Sequence, residues 1–233
     1  MEYTDDMASR NTIRHYEPSS MYHVYNRGVN KQDIFKDERD YGVFLSFLKY
    51  ALLPESELEK HMIIDKDIIS IAARFNLRRE RFTERIELVS YCLMPNHYHL
   101  QLFQHDKDAI TGLMRSIATG YAVYFNKRHN RVGTLFQGKY KASRINSDGY
   151  WTHISRYIHL NPLDIGENYK TYPYSSFQHL SNTSRIEWLS PQKALAEFKN
   201  LEDYTNFIDE YIPHRRDLKD ISDLLANSRE LEA

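Results

Sequence analysis

His97 and His99 stand two residues apart in the stretch Met94-Pro95-Asn96-His97-Tyr98-His99-Leu100-Gln101-Leu102-Phe103. Side chains alternate faces along a strand, so both imidazoles would project from one side and Tyr98 from the other. Two imidazoles on a rigid element can hold a divalent metal, and such a metal can polarise a phosphoryl oxygen. The chain has 11 His, so the spacing alone also admits an ordinary pair of strand histidines.

If the ion is Mg²⁺ or Mn²⁺, it calls for an oxygen ligand as well. Tyr157 and Asn161 are four apart and share a face of the helix in which they are expected to lie. Asn161 can supply an amide oxygen to the metal, and Tyr157 then presents a phenol one turn earlier. A phenol with a solution pKa of roughly 10 is a weak nucleophile at neutral pH. Nearby metal charge, or a base that takes the proton, would favour attack. Attack on phosphorus would form a phosphotyrosine ester and expel a sugar hydroxyl, and the ester could be passed to another strand end. Among 18 Tyr, a packed or surface role is the competing reading of any one. Asn161 also precedes Pro162, which biases it away from helical geometry, so an irregular helix end is expected. His153, four before Tyr157, is a candidate for assisting proton transfer or touching nucleic acid, or is only a polar helix position. His159 points away from the Tyr157 face and reads as structural.

Composition bounds the possibilities. At 233 residues, 41% hydrophobic and 27% charged, the chain reads as a globular protein with ample material for a core. A single cysteine, Cys92, excludes an internal disulfide and a multi-cysteine zinc site. No apolar run reaches membrane-spanning length, and the first residues are acidic, so a cytoplasmic protein without membrane partners is expected. The net charge of −1 conceals a segregation. Residues 109–147 contain no Asp or Glu but carry Arg115, Lys127, Arg128, Arg131, Lys139, Lys141 and Arg144, leaving 24 basic against 32 acidic residues elsewhere. Interleaved with Tyr121, Tyr124, Phe125, Phe136 and Tyr140, this block suits backbone phosphates and stacked bases. A solvated face over core aromatics is the other reading.

The elements that must position these groups follow from patterning. Met21–Gly28 reads as a strand closed by a glycine turn. Tyr41–Leu53 reads as a helix with an apolar face at Tyr41, Phe44, Leu45, Phe47, Leu48 and Leu52, stopped by Pro54. Strands are expected at Ile86–Leu93 and His97–Gln104, joined by a tight turn at Pro95-Asn96. A helix is expected over Asp108–Asn126, a loop over Arg131–Gly138, a strand over Lys139–Ile145 and a helix from Ser147-Asp148 to Asn161. Lys139 and Lys141 would share one strand face, with Arg144 close by. Asn26 and Arg27 end the first strand and could touch nucleic acid; Tyr150 and Trp151 read as packing residues. The order predicts an α+β fold, a ferredoxin-like antiparallel sheet (β-α-β-β-α-β plus a helix carrying Tyr157) with helices on one face. Residues 1–18 read as a loose tail, 19–180 as the main domain with a helical insert at about 55–83, and 181–233 as an acidic helical region.

Four ordered motifs, Met94-Pro95-Asn96-His97-Tyr98-His99, Gly133-Thr134-Leu135-Phe136-Gln137-Gly138-Lys139-Tyr140-Lys141, Arg156-Tyr157-Ile158-His159-Leu160-Asn161-Pro162 and Tyr172-Pro173-Tyr174-Ser175-Ser176, resemble the REP-associated tyrosine transposases of the single-tyrosine HUH nuclease superfamily. The resemblance covers roughly residues 20–180. It implies metal-dependent cleavage and rejoining of single-stranded hairpin DNA, with His97, His99 and Asn161 as metal ligands and Tyr157 as the nucleophile forming a 5′-phosphotyrosine link. Lys127, Arg128, Arg131, Lys139, Lys141 and Arg144 are the expected DNA contacts. A monomer is expected in preference to a homodimer. Tyr98 stands where that family usually carries an aliphatic residue, and the 55–83 insert is longer than usual for it. Two rivals remain: a domesticated relative that only binds hairpin nucleic acid, and a metallophosphoesterase that cuts with activated water.

Overall fold

The computed structural model describes residues 16–57, 81–145, 148–181 and 186–214. Most of the expected tail and of the 55–83 insert lies outside these residues. Four strands, β1 (Ser20–Arg27), β2 (Ile86–Met94), β3 (His97–Gln104) and β4 (Lys141–Ile145), pair antiparallel in the order β2-β3-β1-β4. Helix α1 (Glu38–Leu52) follows β1, α2 (Ala109–Arg128) follows β3 and α3 (Asp148–Leu160) follows β4. This is the ferredoxin-like order expected from the patterning. The first described residues are already packed: Tyr16 is buried and its hydroxyl donates to that of Tyr140 at 2.9 Å.

Alternation assigns the two faces of the sheet. Tyr22, Val24, Leu93, Tyr98, Leu100, Leu102 and Ala142 share one core with Phe44, Phe47 and Leu48 of α1 and Leu113, Ile117 and Tyr121 of α2. Met21, Cys92, Met94 and Ile145 point the other way and are covered by Ile154 and Ile158 of α3. The expectation of helices on one face therefore holds for α1 and α2, while α3 crosses to the opposite face. The apolar side chains there need that cover.

Local signals explain the boundaries. Helix α1 starts three residues before Tyr41 because the Asp37 carboxylate accepts from the backbone N–H groups of Arg39 and Asp40. Its start is tied to the end of α2, where Arg128 pairs with Asp37 at 2.6 Å and with the buried Asp40 at 2.5 Å, and His129 reaches Asp40 at 2.9 Å. In β2, Leu88 pairs with Leu102 but Ser90 pairs with Gln101, so a bulge at Val89 delivers Ser90 rather than a valine opposite Gln101. Strand β4 begins at Lys141, two residues later than expected, because Gly138 adopts φ +72 and the chain bends through Lys139.

The last described segment carries short helices α4 (Gln192–Leu195) and α5 (Leu201–Asp209) within the region expected to be helical; residues 215–233 of that region lie outside the described residues. Helix α5 packs on the side of α3 away from the sheet: His159 bonds Tyr204 and Ser176, each at 2.8 Å, and Arg156 stacks on Phe207 and Tyr211. The Tyr172–Ser176 motif lies along the outer edge of β2, where Leu93 donates to the Tyr174 carbonyl at 2.9 Å and Tyr172 donates to the Leu93 carbonyl at 2.8 Å. It covers a strand edge that would otherwise offer unpaired backbone groups.

Candidate active site

The hairpin that starts β3 is held from outside. The carbonyls of Pro95 and Asn96 accept from Ile34, Phe35 and Gly28. Gly28 permits this approach, since a Cβ there would lie 2.1 Å from the Gln32 carbonyl oxygen. Asn96 then donates its amide to the Lys31 carbonyl at 3.2 Å and turns its Oδ1 to His97 Nδ1 at 2.6 Å. An amide oxygen only accepts, so His97 carries a proton on Nδ1, and in the neutral ring the lone pair is on Nε2.

That lone pair faces Asn161 Oδ1 at 3.4 Å. Pro162 explains the orientation of Asn161. Proline cannot extend α3, and the chain passes into a 3₁₀ turn at Asn161–Ile165, the irregular end expected. The Asn161 amide donates to the carbonyls of Tyr157 at 2.8 Å and Ile158 at 3.4 Å, which leaves its oxygen aimed at His97. With Nε2 unprotonated, the two atoms are close enough to serve one cation together.

His99 is 6% exposed and its ring lies 5.0 Å from that of His97. Burial, then the neighbouring His97 and His23, drive its pKa well below 6.5, so the imidazole is neutral, the form that binds metals. Tyr157, half-buried, sets its ring edge-on to His99 at 5.3 Å between centroids. Among the described residues no three His, Cys, Asp or Glu side chains converge on a metal position; the further oxygen beside His97 is that of the Asn161 amide. Two imidazoles and an amide oxygen fit a divalent cation of the Mn²⁺ type.

Three groups that the sequence reading passed over complete the arrangement. His23 of β1 places Nε2 2.8 Å from His99 Nδ1. Gln101, two residues beyond His99, receives Ser90 at 2.8 Å and Ser155 of α3 at 2.5 Å, and donates to the Trp151 carbonyl at 3.0 Å. Tyr25 pairs with His99 across the sheet and stacks on it at 5.7 Å. Their common signal is placement on the inward face of β1 or β3, which emerges only once the register of the two strands is known.

The basic residues divide. Lys141 pairs with Tyr25, holds its ammonium 6.0 Å from the Tyr25 ring and so borders the site, while Arg27 sits opposite His97 and donates to Gln137 at 2.5 Å. Arg144 pairs with Tyr22 and therefore faces the opposite side of the sheet from Lys141. Lys127 and Lys139 are exposed. Arg128 is occupied by Asp37 and Asp40, and Arg131 by Asn126 at 3.0 Å and the Thr134 carbonyl at 2.8 Å. Asn26 braces the 136–138 loop by donating to the Gly138 carbonyl at 3.3 Å. His153 accepts from Arg156 at 2.8 Å and packs against Phe207 at 5.4 Å, on the α5 side of α3. His159 is fully buried among Tyr204, Phe177 and Ser176, in keeping with a structural role.

Residues 59–161 match the family described as Transposase IS200 like. The match ends at Asn161 and takes in His97, His99 and Tyr157, so the transposase resemblance of the motifs is borne out over this segment. Among solved structures, the chain is similar to a REP-associated tyrosine transposase bound to a REP hairpin (15% identity, TM-score 0.43, covering 77% of this chain and 90% of that one). It is also similar to a protein from Deinococcus radiodurans R1 classed with the transposases (17% identity, TM-score 0.34, covering 63% and 94%). No curated protein matches the chain.

Proposed function

We propose that this chain, with its IS200-like transposase segment, cuts and rejoins single-stranded DNA at hairpin-forming repeats, using Tyr157 as the nucleophile. The convergence of Tyr157, His97, His99 and Asn161, from strand β3, helix α3 and the 3₁₀ turn that follows it, carries the reading. The Tyr157 oxygen bonds to phosphorus, the bond from phosphorus to the 3′ oxygen breaks, and a 5′-phosphotyrosine and a 3′-hydroxyl result. The phenol proton leaves to solvent and the departing alkoxide takes one up. One phosphodiester replaces another, so the step reverses readily onto a different 3′ end. A Mg²⁺ or Mn²⁺ ion held by His97, His99 and Asn161 would supply positive charge to the scissile phosphate.

The protein's own contribution is positioning. Ser155 and Gln101 fix α3 on β3, and this sets the phenol beside the imidazoles. Lys141 and Arg27 border the site on the same sheet face and suit the flanking phosphates, with Lys127, Lys139 and Arg144 exposed for more distant ones. Arg128 and Arg131 act one step back, holding the helix junction and the loop that display those cations. Tyr157 meets His99 within the chain, at 5.3 Å between ring centroids, and we keep action as a monomer as the reading in preference to a homodimer. Among the described residues no helix is long and apolar enough to cross a membrane.

The test is incubation with Mn²⁺ or Mg²⁺ and labelled single-stranded hairpin oligonucleotides, followed by a denaturing gel. A labelled band shifted by the mass of the protein, lost in Tyr157→Phe and in EDTA, is expected. Cleavage without an adduct would overturn the tyrosine chemistry in favour of water-mediated hydrolysis. Binding with neither product would favour a protein that only holds hairpins.

A further inference from the structure

We infer that His23 is a positioning residue for the metal site: it accepts the Nδ1 proton of His99 and thereby presents the Nε2 lone pair of His99 to the ion. The inference rests on the metal reading of His97, His99 and Asn161. His23 lies on β1 opposite Gln101, one diagonal step from His99 on the same sheet face. Its Nε2 is 2.8 Å from His99 Nδ1, and both side chains are buried.

Two imidazole nitrogens at that distance share one proton. If His23 donates, His99 Nδ1 accepts, and the neutral His99 ring must carry its proton on Nε2, where it blocks coordination. If His99 donates, Nε2 is available. A bound cation selects the second arrangement, and His23 is the acceptor that makes it possible. Asn96 does the same for His97, but an amide oxygen accepts in every state, whereas His23 can play either role. One ligand is therefore fixed before metal arrives and the other settles with it. The His23 ring is itself immobilised, stacked at 5.0 Å on both Tyr25 and His99 and met edge-on by Tyr157 at 5.8 Å.

Mn²⁺ binding, read from the electron paramagnetic resonance signal of the free ion, tests this on the full chain without DNA. His23→Leu should weaken binding about 10–100-fold, the range for loss of an outer partner of a metal ligand. His23→Gln, whose amide oxygen can replace Nε2 as acceptor, should restore most of it. In the Mg²⁺-loaded wild type, the imidazole ¹⁵N spectrum should place the His99 proton on Nδ1. A folded His23→Leu that binds like wild type, or a His99 proton on Nε2 in the loaded protein, overturns the inference. Should His23→Leu fail to fold, the ¹⁵N spectrum and the affinity of His23→Gln decide. The metal reading fails separately, and takes this inference with it, if wild type binds Mn²⁺ no more tightly than His99→Ala.

Discussion

Pro162 shapes the site through what it lacks. With no N–H it cannot bond the Ile158 carbonyl, and the Asn161 amide serves that carbonyl and that of Tyr157 instead. The amide donors are spent inward and the oxygen is left toward His97. Pro162→Ala returns a competing N–H and frees the amide to turn. Single-strand cleavage should fall about tenfold, as for lost outer partners of a ligand, with little change in the urea unfolding midpoint; unchanged cleavage would detach Asn161 from the site. Tyr98 offers the opposite case. Its hydroxyl is buried with no hydrogen-bond partner among the described residues, and its ring lies against those of Phe44 and Phe136. The ring fits the core side of β3 that an aliphatic residue would otherwise fill, but the oxygen is desolvated without return. Tyr98→Phe should therefore stabilise the protein by about 1 kcal/mol, measured by urea denaturation, and a loss of stability would reveal a partner for that hydroxyl.

Elements were readable from sequence where periodicity was strong and elusive where position depends on pairing. The α1 face at Tyr41, Phe44, Phe47 and Leu48 and the two-residue turn before His97 follow from local pattern alone. Tyr157 and Asn161 were accessible through helical spacing. His23 and the Gln101–Ser155 contact were not, because no local rule says which residue of β1 lies beside which residue of β3. The bulge at Val89 likewise shifts alternation without a Gly or Pro to announce it. The same dependence on partners explains Arg128, which its sequence neighbours placed in a cationic surface and its spatial neighbours place in the α1–α2 junction. Its hydrogen bond to Asp37, helped by backbone N–H donors, lowers that carboxyl from 3.8 to about 2. A depressed carboxylate contributes stability that is full above its unfolded value and is lost as pH falls from 3.8 toward 2. Asp37→Asn keeps a capping side chain but removes the charge. Unfolding midpoints of wild type and Asp37→Asn should differ at pH 7 and converge by about pH 2; a constant gap would show that the ion pair contributes nothing beyond the cap.

At the scale of the whole molecule, the fold turns a nearly neutral chain into a polarised one. The seven cations of residues 109–147 lie on α2, on the loop that follows it and on edge strand β4, while acidic residues populate α5. Helix α5, in turn, backs α3 through the His159–Tyr204 bond and the Arg156 stack. The acidic segment thus supports the helix carrying Tyr157 from the side away from His97 and His99. If DNA follows the cationic edge, its affinity must depend on salt through the counterions that bound Lys and Arg release. Lys139, Lys141 and Arg144 are exposed and free of the pairing that occupies Arg128 and Arg131 in the described structure, yet Lys141 and Arg144 face opposite sides of β4. A strand that tracks only the site face should feel Lys141 and not Arg144. Replacing Lys141 by Gln should flatten the plot of log affinity against log salt by about 0.7, the value for one lost single-strand contact. Arg144→Gln should change the slope only if the hairpin stem wraps the edge of the sheet. Equal slopes for wild type and both neutralised variants would reduce the basic block to solvated surface and leave Arg27 as the cation bordering the site.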